Sequence, residues 1–155
     1  MNVNKSYALF IPLLGTLAAW GQAPSSQPVP KVSFSYEKVR NPDARQRNGL
    51  IIHVELQPGW HINSEAPLDS FLVPTTVEAK AEGIEFAAPA YPPAVKQHSD
   101  VMGGDLALFT GAFDISLPVK AQSKKGPAPR TRVTLNYQAC NNSMCYPPKS
   151  VTVEQ

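Results

Sequence analysis

Residues 50–57 read Leu-Ile-Ile-His-Val-Glu-Leu-Gln (LIIHVELQ), and their period decides the fold class. Leu50, Ile52, Val54 and Leu56 fall on one side of an extended chain, with Ile51, His53, Glu55 and Gln57 on the other. Side chains alternate along a strand but recur every 3.6 residues along a helix, so this stretch is a strand with one face on a core and one in water. The same period of two continues outward in both directions. Val32, Phe34 and Tyr36 alternate with Ser33, Ser35 and Glu37. Phe113, Ile115, Leu117 and Val119 alternate with Asp114, Ser116 and Pro118, and Val133, Leu135 and Tyr137 with Thr134 and Asn136. Val151 and Val153 close the chain, and weaker strands are expected at 60–63, 73–80 and 84–87.

The separators are turn formers: Asn41-Pro42-Asp43, Asn48-Gly49, Pro58-Gly59, Tyr91-Pro92-Pro93, Gly103-Gly104 and Lys124-Lys125-Gly126-Pro127. No capped amphipathic helix of useful length is present, and 16 Pro in 155 residues argue against a helical bundle. Seven or eight short strands over about 120 residues predict an all-β fold, an immunoglobulin-like antiparallel β-sandwich. The Cys-Trp-Cys pattern of antibody domains is missing, because the two Cys lie only five positions apart.

The N-terminus has a different character. Lys5 precedes an apolar run from Tyr7 to Trp20, followed by small residues at Ala18, Ala19, Gly21 and Ala23. This is the pattern of a secretory signal peptide over residues 1–23, with cleavage expected after Gly21 or Ala23. The run is shorter than the roughly 20 apolar residues of a membrane span, and Pro12 and Gly15 interrupt it. Residues 24–30 (PSSQPVP) read as a flexible lead-in, and 31–155 as one domain with no membrane span, exported to the periplasm or secreted. The net charge is +2. Without residues 1–23, which hold Lys5 and no acid, 13 basic residues face 12 acidic ones, and no basic stripe supports nucleic-acid binding.

Chemistry is expected at Cys140 and Cys145, in the stretch NYQACNNSMCYPPKS. Four intervening residues can form a tight loop that brings the sulfurs to bonding distance, and an oxidising compartment predicts a disulfide. A ring this small contributes little chain-entropy stabilisation compared with a bridge between distant strands. Small rings are also easily strained and reduced, which favours a redox role over a structural one. Pro147 and Pro148 fix the backbone after the second sulfur, and Tyr137 and Tyr146 flank the pair.

The segment YQACNNSMCYPP resembles the active-site segment of the N-terminal periplasmic domain of the thiol:disulfide interchange protein DsbD, a family with a Tyr-Gln-x-Cys, short spacer, Cys-x-Pro-Pro motif. PGWHINSEAPLD, Tyr91-Pro92-Pro93 and LFTGAFDISLPV agree in order, so the similarity runs over roughly residues 31–155. The resemblance implies an immunoglobulin-like domain without cofactors that takes electrons from a thioredoxin-like protein. It would pass them to oxidised periplasmic proteins such as disulfide isomerases or cytochrome c maturation factors. It further implies that Cys145 meets the partner, that Cys140 resolves the mixed disulfide, and that Phe109 is the aromatic lid over the sulfurs.

The sequence departs from the family pattern at the spacer, which is one residue shorter than in the best-known members. It departs also before the lid aromatic, where Ala107 and Leu108 replace acids, and at His61 and Asn63, which stand where relatives place tyrosines near the sulfurs. A protonated His there would favour a thiolate. Two other readings remain at this point. One is a binding module whose disulfide only stiffens a loop. The other is a copper or zinc binder using Cys140, Cys145, Met144, Met102, His61 and His98, although no Cys-x-x-Cys or His-x-x-x-His spacing supports a preformed site. No Ser-His-Asp set is indicated by spacing.

Overall fold

The computed structural model describes residues 28–40, 46–123 and 129–155. The signal peptide expected at 1–23, most of the expected lead-in and the turns expected at 41–43 and 124–127 lie outside the described residues. In chain order the strands are β1 (Lys31–Arg40), β2 (Gln46–Glu55), β3 (His61–Asn63), β4 (Thr76–Ala81), β5 (Ile84–Phe86), β6 (Val95–Ser99), β7 (Gly104–Thr110), β8 (Ala112–Gln122), β9 (Thr131–Tyr137), β10 (Ala139–Cys140) and β11 (Lys149–Glu154). They form a seven-stranded sheet in the order β1-β2-β8-β5-β4-β9-β11 and a four-stranded sheet in the order β10-β3-β7-β6, all pairs being antiparallel. The architecture is the immunoglobulin-like antiparallel sandwich that the alternating sequence predicts.

Period two is visible directly in the core. Leu50, Ile52 and Val54 of β2 are buried beside Ile115 and Leu117 of β8, with Val133, Leu135 and Tyr137 of β9 in the same cluster. Each such side chain stabilises the fold by about 1.5–3 kcal/mol relative to its exposed state. From the smaller sheet, Ile62, Phe109 and Ala139 complete this core.

β6 and β7 have no counterpart among the expected strands. β7 carries Leu106-Ala107-Leu108-Phe109, four consecutive buried residues, because both faces of the smaller sheet are covered. Alternation vanishes when both faces are buried. β6 is a polar edge strand that is mostly exposed, so it shows no apolar period at all. Gly111, with φ of 63°, makes the tight connection by which the chain leaves β7 in one sheet and enters β8 in the other.

The smaller sheet positions the cysteines. In antiparallel register Cys140 pairs with His61 and His61 with Thr110, while Ala139 pairs with Ile62 and Ile62 with Phe109. Directly paired residues share a face. Ala139, Ile62 and Phe109 therefore point into the sandwich, and Cys140, His61 and Thr110 point outward. The outer face also carries Asn63, Leu108 and Leu106, which are in step with His61 and Thr110. It is covered by Leu72 from the segment after β3 and by Cys145.

Candidate functional site

Cys140 and Cys145 are joined by a disulfide with an S–S distance of 2.01 Å. They face each other across an antiparallel bridge at the neck of a tight hairpin. The hairpin is closed by Asn141 N donating to Met144 O (2.9 Å) and Tyr146 N donating to Ala139 O (2.9 Å). Inside it, Asn141 Oδ1 accepts from the backbone N–H of Ser143 (2.9 Å) and of Met144 (3.0 Å). An Asx turn of this kind suits Asn at the head of a short loop. The two sulfurs are unlike: Cys140 is 1% exposed, whereas Cys145 is half-buried and rests on Leu72, Leu106 and Leu108.

Gln138, between Tyr137 and the first cysteine, anchors the hairpin. Its Nε2 donates to Tyr146 O (3.1 Å), and its Oε1 accepts from Asn63 Nδ2 (3.0 Å) and from Val73 N (3.0 Å). Asn63 Nδ2 also donates to Val73 O (3.0 Å). One amide thus ties the cysteine hairpin to β3 and to the segment that leads into β4. Trp60 packs on Tyr146 with ring centroids 5.4 Å apart, forming an aromatic wall ahead of Pro147 and Pro148.

A hollow of about 210 Å³ opens beside the disulfide. Its walls are His61, Leu106, the cysteine hairpin, and the turn from Ser99 to Met102 between β6 and β7. That turn is closed by Gly103 N donating to Ser99 O (2.8 Å), with Gly103 at φ of 70°. At its base, His98 Nδ1 lies 2.9 Å from Asp105 Oδ1, and His98 Nε2 lies 3.7 Å from Asp100 Oδ1. The apolar side chains of Val101 and Met102 are exposed on the turn, as is Met144 on the hairpin.

His61 is 7% exposed, and burial pushes its imidazole below the usual histidine value. Among the described residues it has no hydrogen-bond partner, in contrast to His53 and His98, each of which is paired with a carboxylate.

Two expectations for site residues are corrected by the placement of their strands. Phe109 is not over the sulfurs: it is 2% exposed in the main core, 4.9 Å from the Phe113 ring and 6.1 Å from the Tyr91 ring. The reason is strand parity, because its partner Ile62 faces inward while His61 faces the hollow. Tyr137 likewise belongs to the core, in step with Val133 and Leu135 on the larger sheet. The chain changes sheets at Gln138, one residue later. His61 lines the hollow, Asn63 reaches the hairpin through Gln138, and Tyr146 lies against Trp60.

Sequence reading missed the roles of Gln138, Leu72 and the Ser99–Met102 turn. Gly103-Gly104 marked a turn there, but nothing local tied it to residues 40 positions downstream. The six residues weighed as soft metal ligands all border the hollow. Among the described residues, however, no group of three His, Cys, Asp or Glu is arranged to hold a metal ion.

The larger sheet carries another arrangement invisible to spacing. On its exposed face Ser35 Oγ lies 3.3 Å from His53 Nε2, and His53 Nδ1 lies 2.7 Å from Asp114 Oδ1. The Ser35 hydroxyl donates to Glu37 Oε1 (2.7 Å), so its proton is directed away from the imidazole and the serine is not activated.

The family described as "Thiol:disulfide interchange protein DsbD, N-terminal" matches residues 28–155. Among solved structures, the chain is similar to the crystal structure of the DsbD N-terminal domain of Neisseria meningitidis in the reduced form. That likeness has 14% identity and a TM-score of 0.49, and covers 69% of this chain and 75% of that one. No curated protein matches.

Proposed function

Since the chain belongs to the family of the DsbD N-terminal domain, matched over residues 28–155, we propose that it is a thiol–disulfide exchange module working in the periplasm through Cys140 and Cys145. Electrons enter from a thioredoxin-like donor and leave to oxidised periplasmic proteins, among them disulfide isomerases and cytochrome c maturation factors. The observation that carries this reading is the unequal burial of two bonded sulfurs in a self-supporting hairpin on an outer sheet face.

Exchange runs by attack of a thiolate on one sulfur with release of the other. Cys145 is the accessible sulfur, so a donor thiolate attacks its Sγ, the Cys140–Cys145 bond breaks, and Cys140 leaves as thiolate and takes up a proton. The donor's second thiolate then attacks its own sulfur in the mixed disulfide, which forms the donor disulfide and frees Cys145. Two electrons have now reached the pair. Cys145 next attacks the disulfide of an oxidised protein, and Cys140 closes the ring by displacing that protein as a thiol. Val101 and Met102 on the turn, and Met144 on the hairpin, supply an exposed apolar rim at the site of approach. Exposed apolar clusters of this kind mark protein contact surfaces.

The test is trapping. Cys140→Ser, mixed with a thioredoxin-like domain lacking its resolving cysteine and pre-activated as a mixed disulfide, should hold that domain on Cys145 as an adduct on a non-reducing gel. Cys145→Ser should hold little. Equal trapping by both variants removes the assignment of roles, and trapping by neither removes the exchange function.

A further inference from the structure

His61 is a buried titratable group that the exchange scheme leaves without work. It sits directly opposite Cys140 in the β3–β10 register, on the same outward face, and lines the hollow that both cysteines border. Side chains paired in this way have Cβ atoms about 4.5–5.5 Å apart, within reach of a sulfur and a ring nitrogen. We propose that His61 is the general base that takes the proton from the Cys140 thiol when that buried sulfur closes the ring.

The need for a base follows from burial. Cys140 is 1% exposed, and a thiolate formed there is cut off from water, which disfavours the charged form. The thiol must nevertheless lose its proton before it can attack. Nearby groups leave His61 as the acceptor. Across the hollow, His98 is already held by Asp105 and Asp100, and Asp100 itself is fully in solvent. From β7, the residue facing His61 is Thr110, and Leu106 borders the same hollow, neither of which titrates. Burial keeps the His61 ring neutral, with a lone pair available, and no hydrogen bond among the described residues occupies it.

His61 accepts the Cys140 proton, giving an imidazolium beside a thiolate, a pair that offsets the burial of each charge. Cys140 Sγ attacks Cys145 Sγ in the mixed disulfide, the bond from Cys145 to the partner breaks, and the partner leaves as a thiolate. The imidazolium proton passes through the hollow to that thiolate or to water. In the reverse direction the imidazolium protonates Cys140 as it leaves.

This inference rests on the exchange reading, yet its test needs no protein partner. The reduced protein is mixed with excess dithiobis(nitrobenzoate), an aromatic disulfide whose released thiolate absorbs visible light. The first release reports capture of Cys145, and the second reports ring closure by Cys140. His61→Gln should slow the second release on the order of 10²-fold near neutral pH. Its rate should then climb about tenfold per pH unit, as bare thiol ionisation requires, whereas the parent chain should show a flatter profile. An unchanged rate and pH profile for the second release would overturn the proposal. Should the variant not fold, the His61 ring titration in the parent chain, followed by nuclear magnetic resonance, decides. A shift between oxidised and reduced protein supports coupling to the thiol, and identical titrations overturn it. A His61-dependent ring closure alongside failed trapping of any thioredoxin-like domain would refute the proposed function and leave this inference standing.

Discussion

Replacing Phe109 with Ala distinguishes a core side chain from a cover over the sulfurs. The ring is 2% exposed and sits between Tyr91 and Phe113, with Ile62 as its neighbour across the ladder. Truncation opens a cavity in a packed interior, at a cost of about 3–5 kcal/mol. That is a large share of the 5–15 kcal/mol typical of a whole domain. At roughly 3–5 °C per kcal/mol for a domain of this size, the melting temperature should fall by about 10–20 °C. The assay has two arms: denaturant unfolding of the oxidised protein followed by far-ultraviolet circular dichroism, and reduction of the native disulfide by a small dithiol under conditions where both proteins are folded. The expected outcome is a large stability loss with an unchanged native reduction rate. Should Phe109→Ala fail to fold, Phe109→Leu, with a loss of about 1–2 kcal/mol, carries the same comparison. Near-parental stability with faster reduction would refute the parity argument and return Phe109 to the sulfurs.

Three further outcomes are expected. Phe71 is 86% exposed on the segment whose next residue, Leu72, supports Cys145, so Phe71→Ser should slow exchange with a thioredoxin-like protein severalfold while leaving stability and dithiol reduction alone; equal effects on protein and dithiol would remove it from the docking surface. Because burial lowers the His61 pKa, the unfolded chain binds a proton that the folded chain refuses. Stability from this group is thus complete above the ordinary histidine value near 6.5 and declines as pH falls below it, and a stability curve of His61→Gln should lack that decline. Finally, the reduced protein should keep its far-ultraviolet spectrum and cooperative melting, with a modest fall in midpoint.

The larger sheet was legible because its strands bury mainly one face, with Val39, Gly49 and Pro118 the buried exceptions on the other. Residues 50–56, 113–119 and 133–137 each write their burial into the sequence as alternation, and the structure follows them closely. The smaller sheet is covered on both faces, and there the code fails in two ways. Leu106–Phe109 reads as an undivided apolar run whose parity is undefined until β3 fixes it. β6, open to solvent at the edge, carries no apolar residue pattern at all. The candidate site sits on this less legible sheet. Its cysteines were evident from spacing and from the Tyr-Gln-x-Cys and Cys-x-Pro-Pro segments, since that chemistry is local. The turn from Ser99 to Met102, Leu72 and the Gln138 clamp are products of tertiary register, and a run of residues read in isolation holds no record of them.

That register also explains why a bond at this position is suited to opening and closing. Chain-entropy bookkeeping for a ring of six residues gives a contribution of about 2 kcal/mol, near the low end for disulfides. The hairpin is independently held by the Asn141–Met144 and Tyr146–Ala139 backbone hydrogen bonds, by the Asx turn at Asn141, and by Gln138. None of these involves sulfur. Breaking the bond therefore leaves Cys140 and Cys145 opposite each other on a fixed frame, with the sandwich core on the other face of the sheet untouched. A bond linking the two sheets would couple each turnover to the stability of the whole domain. Here the covalent change is confined to one edge, so the pair can cycle between dithiol and disulfide while the surrounding surface keeps its shape.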